Sequence, residues 1–496
     1  MNELRSMVKQ SSHYFLAYVL SMVGGIIAFP IYTRLFTVSE YGYLSLIATA
    51  VFFVVAVGKL GMQNSIIRFY EEVKGGGKSI SLSTYYSTLF FGPLLIVICL
   101  CFVYLIIILF LKNFLKDTNL IKYFFLSVMW SFFLCSNSIL KNFLRAEQNT
   151  KLYNFLGIAS KYASILIGIV LVYFIFRSLM GLYIAFIFTE AVVFFYLVVR
   201  LFRRHVISLK HFDSKFFKEA FLYGVSFTGT ELTSIILNAG DRFIILYLVN
   251  AAAVGLYSAG YDLAMYAMES LTSPLSFAIT PIFLKIWTEK GSGDTKVFLE
   301  KCLKFFLMAA LPCIFAFNYL SRDLIVLLAS EKYAVSYAVI PYVSFGVLLF
   351  GLTYIFSAGL IIYKKSHVIA FSTILAGVIN VVLNFLFIPK LGFVGAALAT
   401  MLAYLILFII LIKSSFVYLP FSVNLVKISK YLFFSIIMVG FMHLFKSNAI
   451  FANILGKALI GIIVYLLLLF TFDVEARRII KSIFIKHKIR LNFQLP

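Results

Sequence analysis

Apolar runs about twenty residues long recur from one end of this chain to the other, and they constrain its fold more than any other feature. As a helix, such a run spans the ~30 Å hydrocarbon core of a bilayer. Backbone groups in lipid must bond within their own segment, so helices are the default. We count about fourteen candidate spans, centred roughly on residues 24, 54, 97, 131, 166, 191, 231, 268, 309, 346, 378, 402, 437 and 462. Of the 496 residues, 62% are hydrophobic and 13% charged. A water-soluble fold of that make-up would expose large adhesive patches. The expected fold class is therefore an all-α integral membrane protein. No connecting segment exceeds about 20 residues, which excludes a folded soluble domain between spans. The first run, from about Tyr14, has no small-residue cleavage site before Pro30 and reads as a retained first span.

The net charge of +23 tracks the loops, which argues for membrane topology rather than nucleic-acid binding. With both termini cytoplasmic, the inner segments are residues 203–218, 284–296, 363–365 and the basic tail 477–490. About 30 Lys and Arg residues then lie inside and about 10 outside, and the opposite orientation inverts this bias. Cys99, Cys101, Cys135, Cys302 and Cys313 fall in or beside apolar runs at no metal or redox spacing, and read as packing residues. No metal site or cofactor is expected.

The chain repeats itself. The stretches from Gly181 and Gly392 match at Gly181/Gly392, Ala185/Ala396 and Thr189/Thr400. RLFTVSEYG (34–42) and RFIILYLVNAAAVG (242–255) both run from an arginine to a turn glycine at a similar offset. Two homologous six-span lobes follow, 1–210 and 211–415, with 416–496 adding spans 13 and 14 and the basic tail. Six is even, so the lobes share orientation about an axis along the membrane normal.

YTRLFTVSEYGYLSL (32–46), KLGMQNSIIRFYEE (59–72) and DRFIILYLVNAAAVGLYSAGYDL (241–263) resemble the Wzx-type oligosaccharide flippases. These are polysaccharide transporters of the superfamily that also holds multidrug-toxin extruders and the lipid II flippase. The resemblance implies two six-helix bundles around a cavity that opens alternately to either side. It implies a cargo, an oligosaccharide linked through pyrophosphate to undecaprenol, moved from the inner to the outer leaflet of a bacterial cytoplasmic membrane. Membrane lipids and the polymerase and chain-length proteins of the pathway are the implied partners, and nucleic acid is not. A lipid II or other cell-wall-precursor flippase and a multidrug extruder remain the alternatives.

Charges inside spans are costly and point to function. Lys59 lies ~13 Å deeper than Arg68 along span two, too far to snorkel. It is either one half of an ion pair, with Glu190, Glu231, Asp262 or Glu269 as partner, or a cavity cation for substrate phosphate. Lys161 and Arg242 are further cavity cations, although Asp241 can neutralise Arg242, and Arg34 is a cavity cation or an interfacial anchor. Arg68, Lys141, Arg145, Lys285, Lys364 and Lys365 form a candidate cytoplasmic mouth, or simply obey the positive-inside rule. The chain offers no nucleotide motor: KGGGKS (74–79) has Glu72 where a phosphate loop needs glycine. An H⁺ or Na⁺ gradient is the remaining energy source, with Glu190, Glu231, Asp241, Asp262 and Glu269 as candidate carriers. Gln63, Asn64, Asn238, Asn380 and Asn384 suit sugar hydroxyls or helix-to-helix bonding. Prolines 30, 93, 274, 281, 312 and 341 are expected to bend spans. An enzyme is not expected, since the six histidines form no acid–base cluster and no large outer loop exists.

Overall fold

The computed structural model describes residues 2–113, 117–475, 477 and 478; residues 479–490 of the basic tail lie outside this set. Among the described residues there is no strand. Short polar residues start the helices where the sequence places them. Thr37 and Glu40 form a reciprocal capping box at the start of α2 (Val38–Lys59). The side chains of Ser81, Asp117, Asn149 and Ser178 cap α4 (Leu82–Leu111), α5 (Thr118–Ala146), α6 (Thr150–Leu171) and α7 (Leu179–Arg204). The remaining early helices are α1 (Asn2–Leu35), α3 (Met62–Lys74), α8 (Ser214–Val225), α9 (Thr228–Ala239) and α10 (Asp241–Leu248).

Thirteen helices of the described residues are long and apolar enough to cross a membrane. One of them, α11 (Ala251–Leu328), has 78 residues, about four bilayer thicknesses at ~1.5 Å per residue. It breaks at Gly291 (φ 80°, ψ −166°), a backbone conformation that only glycine adopts readily, so it holds the two spans expected near residues 268 and 309. The chain is a multi-pass, all-α membrane protein. Its last helices are α12 (Ile340–Phe356), α13 (Ala358–Ile362), α14 (Ser366–Leu391), α15 (Phe393–Phe416), α16 (Leu425–Leu444) and α17 (Ile450–Phe472).

The exposed side of α4 is apolar: Leu95, Ile98, Phe102, Ile106 and Leu109 are exposed, while Tyr85, Ser87, Thr88 and Gly92 are buried together with Leu89, Phe90 and Val97. The helices form two compact units, one of residues 1–262 with 370–403, the other of residues 263–369 with 404 onward. The first unit thus gathers α8–α10 and most of α14 around the six-span N-terminal segment. In the second, Lys304 and Lys430 of α11 and α16 converge on Asp473, just past the end of α17.

The prolines do only part of what was expected of them. Pro30 and Pro93 lie inside α1 and α4, but Pro341 sits in the first turn of α12, where its missing N–H costs nothing, so it starts that helix instead of bending it. The side chain of Pro274 lies outside the described set.

Within the first unit the start of α2 meets the start of α11 reciprocally. A Cβ on Gly42 would stand 2.1 Å from the carbonyl oxygen of Ala251, and one on Gly255 would stand 1.9 Å from that of Val38. The hydroxyl of Ser258 donates to that of Ser45 at 2.8 Å. Position 38 answers 251, 42 answers 255 and 45 answers 258, one constant offset, which is the pattern of a two-fold contact between repeated segments. Gly42→Ala and Gly255→Ala are each expected to cost about 2 kcal/mol or more through overpacking against backbone. Both should lower the melting temperature of the detergent-purified protein; an unchanged melting temperature in either would contradict the contact.

Candidate functional site

Span two is not one helix. Leu60 (φ 42°) and Gly61 (φ 66°) both turn left-handed and divide it into α2 and α3, directly after Lys59. Leucine in that region costs roughly 1–2 kcal/mol, so the packing around the break must hold it there. The packing is visible. A Cβ on Gly61 would fall 1.8 Å from the carbonyl oxygen of Gly224 near the end of α8, and one on Gly224 would fall 2.7 Å from that of Leu60. Span seven tightens two residues later, between α8 and α9, where the N–H of Phe227 bonds back three residues to Gly224 while Ser226 and Phe227 keep a right-handed helical backbone. The break in span two therefore touches an unbroken stretch of span seven, backbone to backbone. Below the contact, Ser65 of α3 donates to the carbonyl of Ala220 (2.6 Å), and Phe69 packs edge-on against Phe216 and Tyr223.

The charges sit at this junction. Lys59 forms a salt bridge with Glu231 in the first turn of α9, and Gln63 donates to the other carboxylate oxygen at 3.2 Å. Of the four acids considered as partners for Lys59, the structure selects Glu231. The pair is not sealed, since the Glu231 side chain retains 30% of its exposure and that of Lys59 13%. Beside it, α9 turns an unexpected face outward. Ser226, Thr230 and Ser234 are exposed at four-residue spacing, followed by the half-exposed Asn238. Thr230, Ser234 and Asn238 donate to carbonyls of the preceding turn, at 2.9, 2.9 and 2.7 Å. The exposed face of α4 carries Leu, Ile and Phe, whereas this one suits water. The sequence signal was present in TGTELTSIILN (228–238), four hydroxyl residues within seven positions, but only Asn238 was singled out.

Arg242 is differently placed. Its side chain is 6% exposed. Its Nε donates to Ser45 (2.7 Å) and one Nη to the Asn238 carbonyl (3.0 Å), while the two Nη atoms face Asp241 (3.5 Å) and Asp262 (3.4 Å). The guanidinium also lies 4.8 Å from the centre of the Tyr261 ring. Asp262 accepts from Tyr41 (2.8 Å), and Asp241 accepts from Tyr257. These contacts favour the self-neutralised reading of Arg242 over a ligand-binding one, and they assign Asp241 and Asp262 to it as counter-charges. Behind Asp241, Thr400 (3.5 Å), Asn380 and Asn384 continue a fully buried polar chain.

The other candidates do not converge on this junction. Arg34 is exposed on the last turn of α1. Lys161 is half-buried with its stem beside Gly24, where a Cβ would stand 3.4 Å from Cε. Glu190 is buried against Asn137, and Glu269 is half-exposed in the second unit. Of the mouth cations, Arg68 pairs with Glu72 (2.5 Å) and Lys285 with Glu289 (3.8 Å), each within its own helix, and Arg145 bonds Asn142 (3.1 Å). Lys364 is exposed, and Lys141 and Lys365 are half-exposed.

A family model described as polysaccharide biosynthesis protein matches residues 31–338, more than half of the chain and inclusive of spans two and seven. The chain belongs to that family. The fold agrees with it. Over 92% of this chain and 98% of the other, the structure superposes on the lipid II flippase MurJ in an inward closed conformation, with a TM-score of 0.75 at 18% identity. An inward-facing multidrug resistance MATE transporter of the MOP superfamily gives 0.62 at 13% identity, over 84% of this chain and 95% of that one. The Vibrio cholerae MATE transporter VcmN in its bent form gives 0.52 at 14% identity, over 84% of this chain and 100% of that one. No curated protein matches the sequence significantly. The family match bears out the polysaccharide family named by the resemblance, and the fold is the one shared with the lipid II flippase and the multidrug transporters.

Breaking a buried ion pair by removing one partner costs ~3–5 kcal/mol, and the exposure of Glu231 should reduce this to about 1–3 kcal/mol. Lys59→Met and Glu231→Gln are each expected to lower thermal stability by that order, and the double variant to recover most of the loss. Strictly additive losses in the melting curves would refute the pairing.

Proposed function

We propose that this protein is a flippase, not an enzyme, that carries undecaprenyl-pyrophosphate-linked oligosaccharide repeat units from the inner to the outer leaflet of the bacterial cytoplasmic membrane by alternating access. The observation that carries the reading is the Lys59–Glu231 pair, held where the break in span two meets span seven and open on one side to the polar face of α9. Irregular backbone at membrane depth is tolerated where it is buried in protein or lines a water-filled cavity, and in transporters broken helices mark substrate sites. A pyrophosphate needs cations to replace its hydration, and an ammonium that exchanges a carboxylate for a phosphate does so without ever being bare in a low-dielectric space. Ser226, Thr230, Ser234 and Asn238 offer donors and acceptors to sugar hydroxyls alongside it.

The pair also bears on the alternatives. A multidrug extruder for organic cations calls for a net acidic site, whereas this junction is neutral and its cation is the more deeply held partner. A lipid II flippase has a chemically similar cargo, and the fold likeness to MurJ keeps it as the second reading. In a deletion strain, the glycan on accumulated undecaprenyl-linked intermediates separates the two.

The proposed coupling is to an H⁺ or Na⁺ gradient. Both termini are proposed to be cytoplasmic. In a cysteine-free background, Lys364→Cys is expected to label from inside and Lys112→Cys from outside; the reverse would invert the topology.

Because Lys59→Ala alone leaves Glu231 unpaired, the functional test uses Lys59→Ala/Glu231→Gln, which leaves no orphan charge. This double variant is expected to accumulate in the membrane at normal levels and to export less than about a tenth of the normal surface polysaccharide, while Lys59→Arg exports nearly normally. Normal export by the double variant would remove the cation hypothesis.

A further inference from the structure

We propose that the groove between α6 and α7, on the exposed side of the first unit, binds an anionic phospholipid. One acyl chain lies between the helices, and the phosphate sits at a basic end formed by Lys151, Arg200 and Arg203. Such binding does not depend on the cargo; only its leaflet, the cytoplasmic one, rests on the topology proposed above.

The groove has a volume of about 440 Å³ and is lined by α6 from Leu152 to Ile167 and by α7 from Phe188 to Tyr196. At the helical rise its walls are ~22 Å and ~12 Å long, which bracket the ~15 Å depth of one leaflet's hydrocarbon. Past one end the helices meet closely: a Cβ on Gly168 would stand 2.6 Å from the Leu182 side chain, and one on Gly181 would stand 2.9 Å from the Val172 nitrogen. Within the groove the small side chains of Ala159, Ser160 and Ala163 leave a hollow, flanked by Phe155 and Phe188, which are 65% and 55% exposed. The hydroxyls on its floor are already used. Ser160 donates to the Gly157 carbonyl (3.3 Å) and Thr189 to that of Ala185 (2.8 Å). A bound water needs two to four polar partners, so this hollow suits a hydrocarbon chain, which gains dispersion contacts on both walls.

The end of the groove at Leu152 and Tyr196 is basic. Lys151 lies one turn before Phe155 on α6, and Arg203 two turns past Tyr196 on α7; both are exposed, and neither forms an ion pair among the described residues. Arg200, one turn past Tyr196, carries the stronger signal. Its side chain is 16% exposed and its Nη2 is buried with no hydrogen-bond partner among the described residues, while the Glu147 carboxylate stands 4.0 Å away. That carboxylate already accepts from the Tyr86 hydroxyl (3.0 Å) and lies 3.1 Å from Nε2 of His205. Folded proteins leave few buried donors unmet, so a guanidinium in this state calls for an acceptor. A phosphate diester supplies both the acceptor oxygens and the charge, and basic pockets between spans select anionic headgroups. A second copy of this chain fits the same end poorly, because its net charge of +23 tracks the loops and would meet like charge there.

The test is photo-crosslinking of the full-length protein in nanodiscs, using phosphatidylglycerol or phosphatidylcholine with the same diazirine-bearing acyl chain. Phosphatidylglycerol is expected to label peptides of α6 and α7 roughly tenfold more than phosphatidylcholine, the size of effect that two or three cations near an anionic headgroup produce. Lys151→Gln/Arg203→Gln should bring the two lipids to within about twofold of each other. Ala163→Phe fills the hollow and leaves every cation in place, and it should abolish the labelling of these helices; general attraction of anionic lipid to a basic surface would survive it. Should Ala163→Phe fail to accumulate, Ala159→Leu fills the same hollow. Equal labelling by the two lipids in the wild type, or unchanged labelling in the filled variant, overturns the proposal. Full displacement of phosphatidylglycerol by an equal concentration of undecaprenyl phosphate also overturns it and assigns the groove to a polyprenyl chain. A dimer in which α6 and α7 are hidden from both lipids overturns it in favour of self-association.

Discussion

A charge inside hydrocarbon must be neutralised or hydrated, and the placement of Lys59 follows from that requirement. An ammonium at that depth costs at least ~2.5 kcal/mol unpaired, which a partner on a neighbouring helix offsets. The partner is Glu231, and bringing it within reach requires α9 to approach the C-terminal end of α2 closely. Two glycines, Gly61 and Gly224, allow the approach because a single Cβ on either would strike the other segment's backbone. The left-handed turn at Leu60 and Gly61 then re-aims α3 so that Ser65 and Phe69 pack on α8. The break in the helix, the ion pair and the aromatic packing are thus one arrangement.

The same requirement is met three ways in the first unit. Arg242 is enclosed by Asp241 and Asp262, so its charge is cancelled and most of its donors are used. Lys59 and Glu231 are cancelled but left partly open. Glu190 has an amide and, among the described residues, no cation. A sealed pair provides rigidity, whereas an open pair leaves its charges within reach of water.

Internal repetition has a physical expression at the Gly42/Gly255 contact. Ser45 and Ser258 meet across it, and Ser45 also receives the Arg242 guanidinium, so the seam between repeated segments adjoins the most tightly paired charge in the unit. A duplicated chain brings the same small residue to both sides of such a seam, which is why backbone approach is possible there without a separate device on each side.

By itself the sequence determined the number and approximate limits of the spans, the matched segments at one offset and the presence of a costly cation at Lys59. These depend on sums over neighbouring residues: transfer energy over about twenty positions, a capping side chain three residues from its target, a pattern repeated at one offset. Tertiary structure decided which acid each cation meets, because Lys59 and Glu231 are 172 positions apart and four acids were chemically equivalent as partners. It also decided that span two breaks at a leucine, that Pro341 begins a helix, and that Thr230 and Ser234 face outward while Asn384 is buried. None of these follows from local propensity, since each depends on how segments far apart in the chain exclude lipid from one another.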